Sequence, residues 1–152
     1  MYLERPGKLR WDYLAPERKV ALLVGDRTEL YLEDDRQLTR GRLSGEQAMF
    51  PRLLSGSDRV ETSFVATLLP ALAGSDPRSH RLKLIPRGGG TALSEVTLLL
   101  RASDYAIEGA EVLDEMGNRT TYALTGVKRN VRLPDGLFAF EPPPGTEVVE
   151  EP

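Results

Sequence analysis

The residue types that carry out catalysis are few in this sequence of 152 residues, and they lie far apart. Nucleophilic catalysis needs a histidine that is held by a carboxylate and touches a nucleophile. The single histidine, His80, instead lies in a basic stretch beside Arg81 and Lys83. The paired carboxylates Asp34-Asp35 and Glu150-Glu151 lie in turn or tail sequence, and adjacent residues on an extended chain point to opposite sides. We therefore predict no catalytic residue and no enzymatic activity.

The candidate sites for metals and phosphates are equally weak. Cysteine is absent, which excludes disulfides, a thiolate nucleophile and Cys-ligated zinc. No stretch supplies the alternating oxygen ligands of a calcium loop. The glycine-rich run from Arg87 to Thr91 lacks the Gly-Lys-Ser/Thr ending of a phosphate-binding loop, so a flexible hairpin turn is favoured. The sequence predicts neither a metal nor a cofactor.

Charge and hydropathy exclude two further classes of protein. The 20 basic residues are interspersed among 23 acidic ones, and the formal net charge is -3, which argues against a nucleic-acid-binding protein. The longest apolar runs, Val20 to Val24 and Leu68 to Ala73, are far shorter than the ~18 residues of a membrane span. What remains is binding through an apolar surface by a protein that does not itself span a membrane.

The first segment of the chain has the pattern of a half-buried strand. Leu9, Trp11 and Tyr13 alternate with polar residues, so an extended chain places them on one face. Pro6-Gly7 interrupts the alternation, and Arg5 shares the parity of Leu9 across that break. A snorkelling arginine, whose stem covers apolar surface while its head reaches water, is one explanation.

The rest of the chain reads as a mainly β protein of about ten strands in one domain, residues 1–149, with a polar tail, residues 150–152. Val20 to Val24 lacks alternation and predicts a strand covered on both faces. Ser44 can cap a helix from Glu46, and a second helical piece can follow Ser57-Asp58 and end by Pro70. Further strands are predicted at His80–Ile85, Val96–Arg101, Tyr105–Leu113 and Arg119–Val127.

Three segments in order resemble the LolA family of periplasmic lipoprotein carriers. The first is Arg5-Pro6 followed by Leu9-x-Trp11-x-Tyr13, the second is Val20 to Asp35, and the third is Leu133 to Val148. The resemblance implies an incomplete, unclosed antiparallel β-barrel with short helices as a lid. It also implies that the segment around Phe138 and Phe140 closes the sheet with an aromatic packed inward. Glu29 stands where the strand pattern favours an apolar residue.

The resemblance further implies a lipid-binding cavity and a mechanism of release. The cavity residues would be Leu3, Leu9, Trp11, Tyr13, Leu30, Leu32, Met49 and Leu53. Arg5 would act as a latch that hydrogen-bonds lid-helix carbonyls and holds the empty cavity shut. Burying one acyl chain of ~14 methylenes contributes roughly 10 kcal/mol gross at ~0.8 kcal/mol each, so release rather than capture is the harder step.

The implied partners are the acyl chains of lipoproteins, an inner-membrane ABC-type releasing complex and an outer-membrane receptor. The implied location is the periplasm. The residues after Met1 already have the pattern of a strand, so we expect no signal peptide in this chain. We expect an N-terminally shortened or diverged member, whose exposed strand edge permits self-association. The alternative is an interaction protein or lipid-sensing regulator on the same fold.

Overall fold

The computed structural model describes residues 1–42, 49–57, 59–70, 76, 78–88 and 93–151. Within these residues the chain forms eleven β-strands and two short α-helices. The strands are β1 Tyr2–Glu4, β2 Lys8–Tyr13, β3 Lys19–Val24, β4 Arg27–Leu32, β5 Gln37–Arg42, β6 Phe64–Leu69, β7 Ser79–Pro86, β8 Leu93–Arg101, β9 Ile107–Asp114, β10 Arg119–Ala123 and β11 Glu147–Glu150. The helices are α1 Met49–Ser55 and α2 Val60–Ser63.

The chain divides into two compact units. The first comprises Met1–Asp58 and Arg132–Pro152, and the second comprises Arg59–Val131. Each unit contains one sheet, and the hydrogen bonds among the described residues do not close the two sheets into a barrel. This confirms the predicted mainly β, unclosed fold with few short helices. The expectation of a single domain over residues 1–149 stays a prediction.

The sheet of the first unit has the strand order β1-β2-β3-β4-β5-β11. Neighbouring strands are antiparallel except for β11, which runs parallel to β5. The predicted meander is confirmed, and the register sets Trp11 opposite Ala21 and Ala21 opposite Leu30. We call this side of the sheet the Trp11 face and the other side the Tyr31 face. Leu22 and Leu23 are both buried, as expected for a strand covered on both faces.

The C-terminal segment packs on the Tyr31 face. The Phe140 and Tyr31 ring centroids are 4.9 Å apart, and the Arg10 guanidinium donates to the Leu137 carbonyl over 3.0 Å. The expectation that residues 138–140 close the sheet is wrong, because strand pairing resumes only at Glu147, after the prolines. Glu150, assigned to a polar tail, is the last residue of β11, and the Glu151 amide donates to the Arg40 carbonyl over 2.7 Å.

The sheet of the second unit is wholly antiparallel, in the order β10-β9-β8-β7-β6. One face carries the buried Leu84, Val96 and Leu98. The opposite face carries ion pairs such as Lys83–Glu95. The period-2 pattern of the sequence thus predicted β7 to β10, though not β6.

The segment after residue 59 differs from the prediction. A helical piece was expected to run to Pro70, but α2 contains only four residues and β6 follows at Phe64. The buried Phe64 and the β-branched Val65 and Thr67 favour an extended chain, and β6 pairs along its whole length with β7. The predicted cap Ser44 and helix start Glu46 lie outside the described residues, and α1 is described from Met49.

Candidate functional site

Six of the eight predicted cavity residues lie together on the Trp11 face. β1 contributes Leu3, which is opposite Leu9 of β2. Trp11 and Tyr13 follow on β2, and Leu30 and Leu32 lie two strands away, across Ala21 and Lys19 of β3. The two-residue turn between β3 and β4 fixes this register, because it sets Val24 opposite Arg27. The sequence pattern therefore brings these side chains to one surface.

Exposure differs along this face. Leu9 and Leu23, which lie in line with Leu3 of β1, are 6% and 2% exposed. The Trp11 and Tyr13 rings stack with centroids 5.4 Å apart and planes 9° from parallel, and both side chains are half-buried. Leu30 is 38% exposed. The face thus offers accessible apolar and aromatic surface in its middle, the chemistry that an alkyl chain requires.

The other two predicted residues lie on α1. Leu53 is buried, together with its neighbour Leu54. Met49 is the first residue of the helix, but its side chain lies outside what the structure describes. Pro51 is the third described residue of α1.

Residues 5–7, which join β1 to β2, form what we call the β1–β2 corner. The last four carbonyls of α1 all accept hydrogen bonds, two from amides at the helix end itself and two from the β1–β2 corner. The Ser57 amide donates to the Arg52 carbonyl over 3.0 Å and the Gly56 amide to the Leu53 carbonyl over 3.3 Å, which is a Schellman ending. The Leu54 and Ser55 carbonyls are then left without intrahelical donors. Arg5 and Gly7 supply those two donors and so tie α1 to the sheet.

Arg5 is an exposed residue whose guanidinium nevertheless has a defined protein partner. Its Nη2 donates to the Leu54 carbonyl over 3.2 Å. Its stem passes Gly56 so closely that a Cβ on that glycine would lie 3.2 Å from the Arg5 Cδ. A purely snorkelling arginine would end in water instead. Whether this bond acts as a latch stays a prediction.

Gly7 completes the connection, and only glycine fits there without strain. Its amide donates to the Ser55 carbonyl over 3.0 Å, and its carbonyl accepts from the Gly25 amide over 2.8 Å. Its φ is +81°, and a Cβ would lie 3.3 Å from the Ser57 Oγ. The Pro6-Gly7 break in the sequence is therefore the corner that receives the end of α1.

Sequence reasoning missed three members of the Trp11 face, Lys19, Ala21 and Leu23. Ala21 and Leu23 belong to an apolar run without alternation, and Lys19 directly precedes it, so their sides could not be assigned from periodicity. The short Gly25-Asp26 turn was the available signal, because it fixes which β3 residues lie opposite Leu30 and Leu32. Glu29 falls on the Tyr31 face, where it pairs with Arg40 over 2.8 Å.

Many ionisable side chains of the described residues form ion pairs, such as Arg42–Asp26 and Arg78–Asp76. Donated hydrogen bonds from Arg78 lower the pKa of Asp76, and those from Asn118 lower the pKa of Asp114. Burial raises the pKa of the Tyr122 hydroxyl. An open groove of about 420 Å³ at β4, β5 and β11 is lined by charged side chains, including Arg27, Arg42 and Glu151, which do not suit an acyl chain.

The described residues contain no group of His, Cys, Asp and Glu side chains that could hold a metal ion. Nor do they contain a helix with the length and hydropathy needed to cross a membrane.

Known proteins are similar to this chain in sequence and in fold. The family profile "Outer membrane lipoprotein carrier protein LolA" matches residues 1–141. The outer-membrane lipoprotein carrier protein of Methylococcus capsulatus is 31% identical over 151 residues, which cover 99% of this chain and 70% of that protein. Its counterpart in Chromohalobacter salexigens is 32% identical over 152 residues, which cover 99% and 70%.

A solved structure, that of the CwlD amidase from Clostridioides difficile in complex with the GerS lipoprotein, is similar in fold. The TM-score is 0.56 at 14% identity, over 82% of this chain and 71% of that chain. At this identity the likeness concerns the fold alone. The profile match over most of the chain, together with relatives above 30% identity, shows that the chain belongs to the LolA family of outer-membrane lipoprotein carrier proteins.

Proposed function

We propose that this protein binds the acyl chains of lipoproteins on its Trp11 face and carries them from the inner to the outer membrane. The observation that carries the proposal is the convergence of Leu3, Leu9, Trp11, Leu30 and Leu32 on one face in a member of this family. Enzymatic activity forms no part of the proposal.

The energetic scale of acyl binding fits a carrier that also needs a means of release. One acyl chain of ~14 methylenes contributes roughly 10 kcal/mol gross when buried. A hydrogen bond to a charged group contributes about 1.5–3 kcal/mol, and less when exposed, as Arg5 is. The Arg5–Leu54 bond is thus weak enough for lipid to displace, yet strong enough to favour the arrangement in which α1 lies against the β1–β2 corner.

Partners and location follow from the family and belong to the same proposal. The carrier would receive lipoproteins from an inner-membrane ABC-type complex, cross the periplasm and deliver them to an outer-membrane receptor. The competing function is a lipid-sensing or interaction protein on the same fold, which would bind acyl chains or a partner without transferring cargo.

A charge placed on the Trp11 face tests the proposal. We expect Leu30→Asp to reduce the amount of labelled lipoprotein that the protein extracts from liposomes at least tenfold, because an acyl chain would desolvate the new carboxylate. Extraction and subsequent transfer to acceptor vesicles carrying an outer-membrane receptor would be measured for both proteins. Leu30 is 38% exposed, so the substitution should cost little folding stability.

Val24→Asp is the matched control, since Val24 is also 38% exposed but belongs to the Tyr31 face. It should extract and transfer lipoprotein like the wild type. Equal losses in both variants would contradict the placement of the lipid site. Normal extraction by the wild-type protein without any transfer would favour the sensor over the carrier.

A further inference from the structure

We propose that Lys19 binds the polar end of the acyl ligand and thereby fixes its direction on the Trp11 face. This inference rests on the proposed function and names the ligand class more closely. The ligand is an amphiphile whose head carries hydrogen-bond acceptor oxygens, as a carboxylate or an acyl ester does. Its tail lies toward Leu9 and Leu23, and its head lies beside Tyr13 and Lys19.

The Trp11 face is apolar at one end and cationic at the other. Along β2, Tyr13 lies four positions after Leu9, about 13 Å of strand. Leu23 lies opposite Leu9 and is almost fully buried, whereas Lys19 lies opposite Tyr13 and is half-buried. An amphiphile on this face therefore meets hydrocarbon at one end and an ammonium at the other.

Lys19 is held in position by an aromatic ring rather than by an anion. Its Nζ lies 4.8 Å from the centre of the Tyr13 ring, a cation–π contact. Tyr13 in turn stacks on Trp11. Among the described residues, no carboxylate pairs with Lys19, in contrast to Lys8, which pairs with Glu4 over 2.5 Å. A half-buried ammonium in this state keeps hydrogen-bond donors available for ligand oxygens.

The residues that lie opposite one another across the strands form a row. The row of Lys19 continues through Leu32 of β4, Gln37 of β5 and Glu147 of β11, and Glu147 is its one carboxylate. Three strand spacings of about 4.8 Å place the Glu147 backbone roughly 14 Å from that of Lys19. The positive charge near Tyr13 is thus not neutralised by its own row, and it is complementary to a negatively polarised head group.

The test compares three amphiphiles that share a twelve-carbon tail, each titrated below its micellar concentration and followed by the fluorescence of the single tryptophan, Trp11. Dodecanoate and glycerol monododecanoate carry acceptor oxygens, and dodecyltrimethylammonium carries none. We expect Lys19→Met to weaken binding of at least one oxygen-bearing amphiphile roughly tenfold, and to leave the trimethylammonium compound unchanged or bound more tightly. Whether carboxylate or ester is affected more identifies the natural head group.

Lys8→Met is the matched control, because the Lys8 Nζ also lies over an aromatic ring, 5.7 Å from the Phe138 centroid, but on the Tyr31 face. It should leave all three affinities unchanged, and Lys19→Arg should preserve the wild-type preference. An equal loss for all three amphiphiles in Lys19→Met, or no difference from Lys8→Met, overturns the role of Lys19 while the proposed lipid site stands. Failure of the wild type to bind any of them overturns both.

Discussion

Arg5 and Arg10 make the same kind of bond at two different places in the first unit. Each guanidinium donates to a carbonyl, Arg5 to that of Leu54 over 3.2 Å and Arg10 to that of Leu137 over 3.0 Å. The two differ in what they restrain, because Leu54 belongs to α1 and Leu137 to the C-terminal segment on the Tyr31 face. Comparing substitutions of these two arginines therefore distinguishes a latch, which restrains α1, from a contact that only stabilises the fold.

We predict that Arg5→Leu leaves the fold intact, retains lipid more tightly and releases it to an acceptor about tenfold more slowly. The reason is that loss of ~1.4 kcal/mol from the closed arrangement corresponds to a tenfold change in an equilibrium. Release rates from lipid-loaded protein would be measured by stopped-flow fluorescence with acceptor vesicles in excess.

Arg10→Leu should lower thermal stability modestly and leave the release rate unchanged. If Arg5→Leu behaves in the same way as Arg10→Leu, then Arg5 is a stabilising surface residue and the latch hypothesis fails.

The family resemblance predicted that Arg5 hydrogen-bonds helix carbonyls, but not which ones. The particular carbonyl could not be predicted, because that of Leu54 becomes available only through the way in which α1 ends, with a Schellman turn at Gly56. Lys19 was missed for a related reason, since it directly precedes a run in which alternation does not distinguish the two faces.

The β1–β2 corner is the element that joins α1 to the sheet, and Gly7 is its most constrained residue. We predict that Gly7→Ala costs about 2–3 kcal/mol of unfolding free energy. A positive φ accounts for ~1–2 kcal/mol, and crowding against the Ser57 Oγ, with weakening of the bond to the Ser55 carbonyl, accounts for the rest. Urea unfolding would measure the loss.

Gly136→Ala is the control in the same compact unit, with a φ of +79° and no atom within 4 Å of the added Cβ. It should lose only the ~1–2 kcal/mol that belongs to the backbone conformation. Equal losses in the two variants would show that the contact with α1 contributes nothing.

The strands of this protein were predictable from the sequence where they pair with strands nearby in the chain, and less predictable where the partner strand is distant. The hairpins from β2 to β5 and from β7 to β10 follow from alternation and short turns. β6 was taken for a helix because six successive uncharged residues, Phe64 to Leu69, fit either structure until β7 supplies the partner. β11 was missed because a parallel pairing with β5, about 110 residues away, leaves no local signal.

The sheets present edges at which two copies of the chain can meet. β1 has only β2 as a neighbour among the described strands, and Tyr2 on it is 42% exposed. We predict reversible self-association through β1, because unpaired strand edges add strands readily. Light scattering across a wide concentration range should show a mass that rises above that of the monomer, and Tyr2→Lys should suppress the rise.

Leu68→Lys is the comparison for that experiment, since β6 is an edge strand of the other sheet and Leu68 is highly exposed. It should leave the association unchanged. A monomer at every concentration, or suppression by Leu68→Lys alone, would contradict pairing at β1.

The most direct test of the central claim is photo-cross-linking of the protein to a lipoprotein whose acyl chain carries a diazirine, followed by peptide mass spectrometry. The account predicts labelled residues on the Trp11 face, chiefly in β2 to β4 around Trp11 and Leu30, and loss of this labelling in Leu30→Asp but not in Val24→Asp. Labelling concentrated on the Tyr31 face, or in the second unit, would contradict it.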